Sequence, residues 1–339
     1  MAVKMGKIGQ RGKDSRGDMT RRHFLRTSAS AGLGFGLMLS GAKAWAADGG
    51  PLKTRVLGRT GCKVTVLGLG TAPVGEGPPD VQEGIKVFEP VLDAGVNYVD
   101  TARIYGNAEE ILGQVLPKRR DKVFLVTKVS TDSGQRAEQS LEQSLRTLKT
   151  DYLDLVHIHS IGGKNIDRVL APDGVLEYLL KQKQAGKIRF IGTSGHNRPA
   201  NFVRMIQTDQ IDVVMPVMNY ADCNIYNCED VVLPEARKRN IGVVAMKVYV
   251  GIKGGFPNHR SGFVGCVTPQ ERMPQAIAYA LDLEGVSSAV IGPYTAEQAM
   301  QNVEFAKKYT PLTSERRTEL LAYGKTLAPT LGPRYGAVV

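Results

Sequence analysis

The sequence predicts an α/β protein built as a single (β/α)8 TIM barrel with an N-terminal β-hairpin. Three observations carry this. Eight short, β-rich apolar runs alternate with helical patterns along the chain. The alternation occupies about 240 residues, the length one closed α/β barrel uses. Several runs are almost continuously apolar, as expected of parallel strands covered by helices.

The elements follow in order. Arg55-Val-Leu-Gly-Arg-Thr-Gly61-Cys-Lys-Val64 holds two short extended runs around Gly58 and Gly61, a hairpin signal. The barrel strands are expected at Val64–Gly70, Tyr98–Thr101, Val123–Lys128, Tyr152–His159, Ile188–Thr193, Val213–Pro216, Gly242–Lys247 and Ala289–Ile291. The helices between them are expected at Val81–Ala94, Ala108–Leu116, Gln135–Leu148, Gly174–Ala185, Pro199–Thr208, Val231–Arg239 and Pro269–Leu283. Thr295–Phe305 supplies an eighth, and Ser314–Thr326 a terminal one. Two glycine motifs have the wrong spacing for their usual chemistry. Gly68-Leu-Gly70-Thr-Ala-Pro-Val-Gly75 is not a dinucleotide fingerprint, and Gly192-Thr-Ser194-Gly-His196 is not a nucleophile elbow.

The chain has 339 residues, 42% hydrophobic and 23% charged, which excludes a disordered or collagen-like polymer. Its net charge of +11 is concentrated at one end. Residues 1–46 carry nine Lys or Arg against two Asp, a charge of +7, leaving +4 on the remainder. Interspersed charge of that size gives no reason to bind nucleic acid.

Within that basic end, Thr20-Arg21-Arg22-His23-Phe24-Leu25-Arg26 precedes a Gly-rich apolar run, Ala29 to Ala42, and then Ala44-Trp45-Ala46. A charged front, an apolar middle and a small-x-small exit make a secretory signal. The paired arginines, the mild hydrophobicity and Lys43 near the exit make it resemble the bacterial twin-arginine (Tat) signal. That resemblance implies residues 1–46 as signal peptide, residues 47–339 as the barrel, the Tat machinery as a partner, and a periplasmic location. A disordered basic tail ahead of a cytoplasmic protein is the alternative. No other segment reaches about 18 consecutive apolar residues, so no stable membrane span is expected. Cys62, Cys223, Cys228 and Cys266 form no C-x-x-C pair. They are incidental thiols, or Cys223 and Cys228 form a disulfide in an oxidising compartment.

In such a barrel, chemistry gathers at the carboxyl ends of the strands. Those ends carry Asp100 with Tyr105 in the following loop, then Lys128, His157 and His159, and Ser194 with His196. The surrounding segments are specific. Asn97-Tyr-Val-Asp100-Thr-Ala-Arg-Ile-Tyr105-Gly-Asn-Ala-Glu109 resembles the D-T-A-x-x-Y-G-x-x-E segment of the aldo-keto reductases. Val126-Thr-Lys128, Asp151-Tyr-Leu-Asp-Leu-Val-His-Ile-His159 and Gly186-Lys-Ile-Arg-Phe-Ile-Gly-Thr-Ser194 resemble that family's next three strands. The opening Arg55-Val-Leu-Gly-Arg-Thr-Gly and Leu67-Gly-Leu-Gly-Thr71 resemble its hairpin and first strand. The resemblance spans about residues 52–305.

It implies a nicotinamide-dependent oxidoreductase acting on aldehydes and ketones, or on the corresponding alcohols or sugars. The family's tetrad falls on Asp100, Tyr105, Lys128 and His159. Carbonyl reduction leaves an alkoxide that must take a proton, and a phenol with a pKa of about 10 is a poor acid at neutral pH. Lys128 would lower that pKa, Asp100 would keep Lys128 charged and placed, and His159 would orient the carbonyl.

The cofactor, NADP or NAD with NADP slightly preferred, is implied to lie across the barrel top. Gly70, Thr71 and Asp100 would meet the nicotinamide and its ribose, and Ser194 the carboxamide. Met246, Lys247, Val248 and Gly251 would face the pyrophosphate, and Gly292, Gln298 and Asn302 the adenosine end. Three positions depart from the family. Met215 stands where a Gln holds the carboxamide, and Met246 where an aromatic stacks on nicotinamide. Tyr294 and Gln298 occupy the neighbourhood of the missing basic residue, for which Lys247 or Lys253 compensates. Gly251–Thr268 is a flap over the cofactor or an idle loop. Two other readings stay open: a cofactor-binding barrel serving as sensor or partner subunit, and a metal-dependent hydrolase using His157, His159 and His196.

Overall fold

The computed structural model describes residues 50–254 and 265–339. The signal at 1–46 lies outside the described residues, as do positions 255–264 of the expected flap. Eight parallel strands close into a barrel in chain order: β3 (Leu67–Gly70), β4 (Tyr98–Asp100), β5 (Phe124–Val129), β6 (Leu153–Ile158), β7 (Ile188–Gly195), β8 (Val213–Pro216), β9 (Gly242–Ala245) and β10 (Val286–Ile291), which pairs back onto β3. All eight expected strands are present. Nearly every strand residue is buried, because helices cover the outer face and side chains fill the interior.

The hairpin, β1 (Thr54–Val56) with β2 (Lys63–Thr65), floors the amino-terminal end of the barrel. Its turn rests on the chain entering β9, where Arg59 N donates to Asn240 O. Gly58, at φ +46°, allows this approach, since a Cβ there would strike the Gly242 backbone. The single strand expected over Val64–Gly70 is two. Val66 N donates to Lys53 O and Thr65 Oγ1 to Leu67 O, so the hairpin ladder ends where the barrel ladder starts. Both pieces are apolar and β-rich, so the sequence does not mark the break.

The helices are α1 (Ala72–Glu76), α2 (Val81–Asp93), α3 (Ala108–Val115), α4 (Gly134–Leu148), α5 (Ile166–Val169), α6 (Val175–Gln184), α7 (Pro199–Gln207), α8 (Cys228–Lys238), α9 (Met273–Asp282), α10 (Ala296–Lys307) and α11 (Ser314–Leu331). The two short ones, α1 and α5, were not expected. Each is a turn or so long, too short to show a period. In α1 the last glycine of the false fingerprint has a packing role. A Cβ on Gly75 would strike the Tyr105 carbonyl, and Asn107 N donates to Gly75 O at 3.1 Å. Helix α1 therefore braces the loop that carries Tyr105.

Asp154 shows what a buried charge does for this scaffold. It is 2% exposed and accepts from Arg120 Nη1 (2.8 Å), Arg189 Nη1 (2.6 Å) and Leu125 N (2.9 Å). Arg120 also stacks on Tyr152, 3.8 Å from the ring centroid. Asp154→Ala leaves the buried Leu125 amide without its acceptor and the partly buried Arg120 guanidinium without its carboxylate. The expected loss is about 3–5 kcal/mol of folding stability, read from chemical denaturation. No helix among the described residues is long and apolar enough to cross a membrane.

Candidate active site

Strand register brings the polar strand ends together. Gly70 pairs with Asp100, Lys128 with His157, and His157 with Gly192. Residues two apart on a strand share a face. Thus Tyr98 and Asp100, Val126 and Lys128, Leu155 and His157, and Gly192 and Ser194 all face the interior. The lower members fill the barrel with Tyr98 stacked on Phe124 and Phe124 on Phe190, at 5.7 and 6.1 Å. The upper members make the site.

Lys128 Nζ donates to Asp100 Oδ2 at 2.6 Å and to Thr101 O at 2.8 Å. It also lies 4.6 Å from the centroid of the Tyr105 ring. Tyr105 and His159 meet edge-to-face with centroids 5.8 Å apart. Asp100, Lys128 and His159 are buried, and Tyr105 is half-buried. All four tetrad residues named from the sequence therefore converge on one point at the carboxyl end of the barrel.

Burial works against charge here. It pushes the Tyr105 phenol above its usual range, and Lys128, pulling the other way, does not cancel it. The expected lowering by Lys128 is real as a contribution, but the net direction in this structure is upward. Burial also opposes the Lys128 ammonium, yet Asp100 and Tyr105 together hold it above its usual range, so it stays charged. Burial, with Lys128, Lys164 and Lys247 nearby, drives His159 down to about 3. Burial and Lys128 likewise push His157 well below its usual range. Both imidazoles are neutral.

Sequence reasoning assigned no role to Glu109, which the structure places under the site. It is buried, accepts from Thr127 Oγ1 at 2.8 Å and pairs with Arg103 at 3.3 Å. It ties α3 to β5 and so fixes the Tyr105 loop against Lys128. The signal was its place in the quoted Asp100–Glu109 segment.

The buried polar atoms at the site that lack a protein partner include Asp100 Oδ1, Ser194 Oγ and His159 Nδ1, with both ring nitrogens of His157 below them. Native proteins rarely leave such groups unpaired, so they suit a polar ligand lying over β4, β6 and β7. A cavity of about 340 Å³ opens beside them at the ends of β9 and β10. Lys247, Val248, Gly251, Gly292, Gln298 and Asn302, six of the residues expected on the cofactor, line it with Tyr249 and Tyr294. Tyr249 Oη donates to Asn302 Oδ1 at 2.7 Å, and Tyr294 N to Gln298 Oε1 at 2.9 Å.

The remaining expected cofactor residues lie outside this cavity. Gly70 packs against Gly292 near its mouth. Thr71 spends its hydroxyl on Asp100 O at 3.0 Å, so it positions the aspartate. Met215 and Met246 are buried in the barrel-interior cluster. These residues fit a nicotinamide cofactor: orphaned polar atoms at the reacting end, and for the rest a largely apolar cleft with a few polar side chains and one lysine.

Among the described residues, no three His, Cys, Asp or Glu side chains are placed to hold a metal ion. His157 is fully buried, its Nδ1 in the space that a Cβ on Gly192 would fill. It does not form a ligand set with His159 and His196. The four cysteines are free thiols. Cys228 packs in the core while Cys223 Sγ donates to Tyr220 O, and burial pushes them to about 12 and about 11.

A barrel with a buried lysine–carboxylate pair beside a tyrosine and a neutral histidine is built for proton transfer at a carbonyl. A model of the aldo/keto reductase family matches residues 66–257, and the chain belongs to that family. It is an NAD(P)-dependent aldo-keto reductase, an oxidoreductase. It is 25% identical over 301 residues to L-galactose dehydrogenase of Arabidopsis thaliana, covering 79% of this chain and 92% of that one. Methylglyoxal reductase YeaE of Escherichia coli is 37% identical over 132 residues, 38% of this chain and 44% of that one. Among solved structures, the holo form of aldo-keto reductase AKR11C1 from Bacillus halodurans superposes with a TM-score of 0.66 at 26% identity, covering 80% of this chain and 96% of its own.

Proposed function

We propose that the protein reduces aldehydes or ketones, or oxidises the corresponding alcohols or sugars, with Tyr105 as the general acid and base. The observation that carries this is the convergence of Tyr105, Lys128, Asp100 and His159. When bound, the nicotinamide supplies or accepts the hydride. Neutral His159 donates a hydrogen bond to the carbonyl oxygen, and Tyr105 gives that oxygen its proton as charge develops on it. Lys128 stabilises the phenolate left behind, and Asp100 keeps the lysine charged. Burial keeps water from competing for the same proton.

Ser194 holds the carboxamide in this reading, with Met215 and Met246 as its apolar wall. Among the described residues lining the cleft, Lys247 is the only cation. It belongs to the pyrophosphate end, so the adenosine end offers a 2′-phosphate no basic partner among them. NAD is accommodated as well as NADP.

We also propose that Arg21 and Arg22 direct export through the twin-arginine route, which carries proteins already folded. A compartment outside the inner membrane supplies no evident pool of free NAD(P)H. The enzyme therefore retains its cofactor and cycles it between two substrates or an electron partner. Protein purified from the exported fraction is expected to release nicotinamide cofactor on acid treatment, identified by mass, with none added. Exported protein that is empty and active only with added cofactor overturns the retention. Arg21→Lys with Arg22→Lys is expected to strand the precursor in the cytoplasm, and normal export of that double variant overturns the signal.

A further inference from the structure

The chain that leaves β9 adopts a backbone that side chains disfavour. Lys247 stands at φ +58° and Val250 at φ +64°, both in the left-handed region, ahead of Gly251 at φ +92°. Glycine enters that region freely, but for a β-branched residue such as Val250 it is a strained exception. Strain of this kind persists only where the surroundings impose it, and it gathers at ligand-binding segments. Lys247, Val248, Tyr249 and Gly251 line the cofactor cleft, while Val250 is fully buried in the core.

One polar network holds the carbonyls of both strained residues. Val250 N donates to Lys247 O at 2.8 Å, closing the turn between them. Asn219 Nδ2 donates to Lys247 O at 3.0 Å and to Asp222 Oδ2 at 2.7 Å. Arg334 forks onto Asp222, Nη1 to Oδ1 at 2.8 Å and Nη2 to Oδ2 at 2.7 Å. Its Nη2 also donates to Val250 O at 2.8 Å. Asn219 and Asp222 are both buried. A planar fork on a carboxylate fixes orientation as well as position, so Arg334 meets Val250 in one geometry.

Arg334 comes from the far end of the chain. After α11 the last eight residues, 332–339, form a strap past the loops that follow β7, β8 and β9. Asn197 Nδ2 donates to Ala337 O at 3.1 Å, and Tyr335 N to Tyr226 Oη at 2.8 Å. The Tyr335 ring lies 5.9 Å from that of Tyr226 and 5.0 Å from that of His196, centroid to centroid. A Cβ on Gly251 would lie 2.6 Å from Tyr335 Oη, so the strap packs directly on the cleft loop.

We propose that Arg334 is a positioning residue for the cofactor. With Asp222 and Asn219 it holds residues 247–251 in the strained form that shapes the cleft. When the strap leaves, Val250 relaxes, the loop loses that shape and the nucleotide departs. The chain terminus thus sets how long the enzyme keeps its cofactor. This rests on the reading that places the nicotinamide cofactor in that cleft.

The test follows release of NADPH or NADH from loaded protein, by nicotinamide fluorescence after mixing with excess oxidised nucleotide. Arg334→Ala is expected to speed release by about tenfold or more, the change that strain at one residue would carry. Millimolar guanidinium ion is expected to restore slow release to that variant. Arg334→Lys keeps a cation on Asp222 but lacks the fork that reaches Val250 as well, and is expected to release faster too. In a Val250→Gly background, where a positive φ carries no strain, Arg334→Ala is expected to speed release by less than about threefold. Equal acceleration in both backgrounds overturns the proposal, as does wild-type release from Arg334→Ala and Arg334→Lys. A readout without cofactor is hydrogen exchange at the Val250 and Val267 amides, which bond to Lys247 O and Gly251 O. Both are expected to exchange faster in Arg334→Lys than in the wild type, and unchanged exchange overturns the proposal. Wild-type protein that binds neither nucleotide, with those amides loosened in the variant, tells against the cofactor reading and not against the hold of Arg334 on the loop.

Discussion

Tyr105→Phe is expected to lower carbonyl reduction at least about 100-fold, within the usual worth of a positioned general acid. The change removes one oxygen and its proton. The ring, which meets His159 edge-to-face and lies over Lys128, remains. Because the loop is braced by Gly75 and by the Glu109 contacts, the backbone is not expected to move. Cofactor affinity, followed by titration calorimetry, should stay nearly constant. Turnover close to wild type would remove Tyr105 from the mechanism.

Lys128→Met is expected to act in a different way. Lys128 is the group that pulls the Tyr105 phenol down against burial, so its loss moves the phenol further above its usual range. Reduction needs the protonated phenol, so its rate is present at low and neutral pH and is lost as pH rises through the Tyr105 pKa. In the variant that alkaline limb moves to higher pH. Oxidation needs the phenolate, present above the pKa and lost as pH falls, so at neutral pH the variant loses oxidation about tenfold for each unit the phenol rises. Superposable pH–rate profiles for the two proteins would contradict the role given to Lys128. Stability should fall as well, by about 3–5 kcal/mol, because Asp100 is left as a buried charge without its 2.6 Å partner. Adding Asp100→Asn removes that orphan charge. The double variant should regain much of the stability and none of the lost oxidation, which separates the two effects.

The barrel was legible because its signal is redundant. Each of the eight strands is a run of apolar, β-favouring residues at the expected interval, and one ambiguous run does not disturb the rest. Where the reading slipped, the cause was local. The Val64–Gly70 run changes sheet at Val66 through a single amide bonded to Lys53, and no side chain records which partner an amide will choose. The turn α1 hid inside a glycine pattern, since Gly75 is there to let two backbones touch. The terminal helix runs on to Leu331 past the expected Thr326, because Ala328 continues the buried face of Leu320 and Gly324, a face of small residues interrupted by Pro329 that the sequence does not mark.

The tetrad was legible for a related reason. Asp100, Lys128 and His159 sit at the ends of strands, and a strand end is readable along the chain. Their chemistry follows from residue type: a phenol, an ammonium, a carboxylate and an imidazole have fixed donors, acceptors and ordinary pKa values before any folding. What those values become belongs to the fold. Tyr105 moves up although Lys128 adjoins it, and His159 falls to about 3, because burial depends on every element packed around the site. The same holds for the strap. Nothing near His196 in the chain announces Tyr335, 139 positions away, and their contact depends on long-range bonds such as Arg334 to Asp222 and the Tyr335 amide to Tyr226. Local pattern, chemical type and strand order are properties of short stretches of chain. Desolvation and long-range contact are properties of the closed barrel, and they set how strong an acid Tyr105 is and where the chain terminus is held.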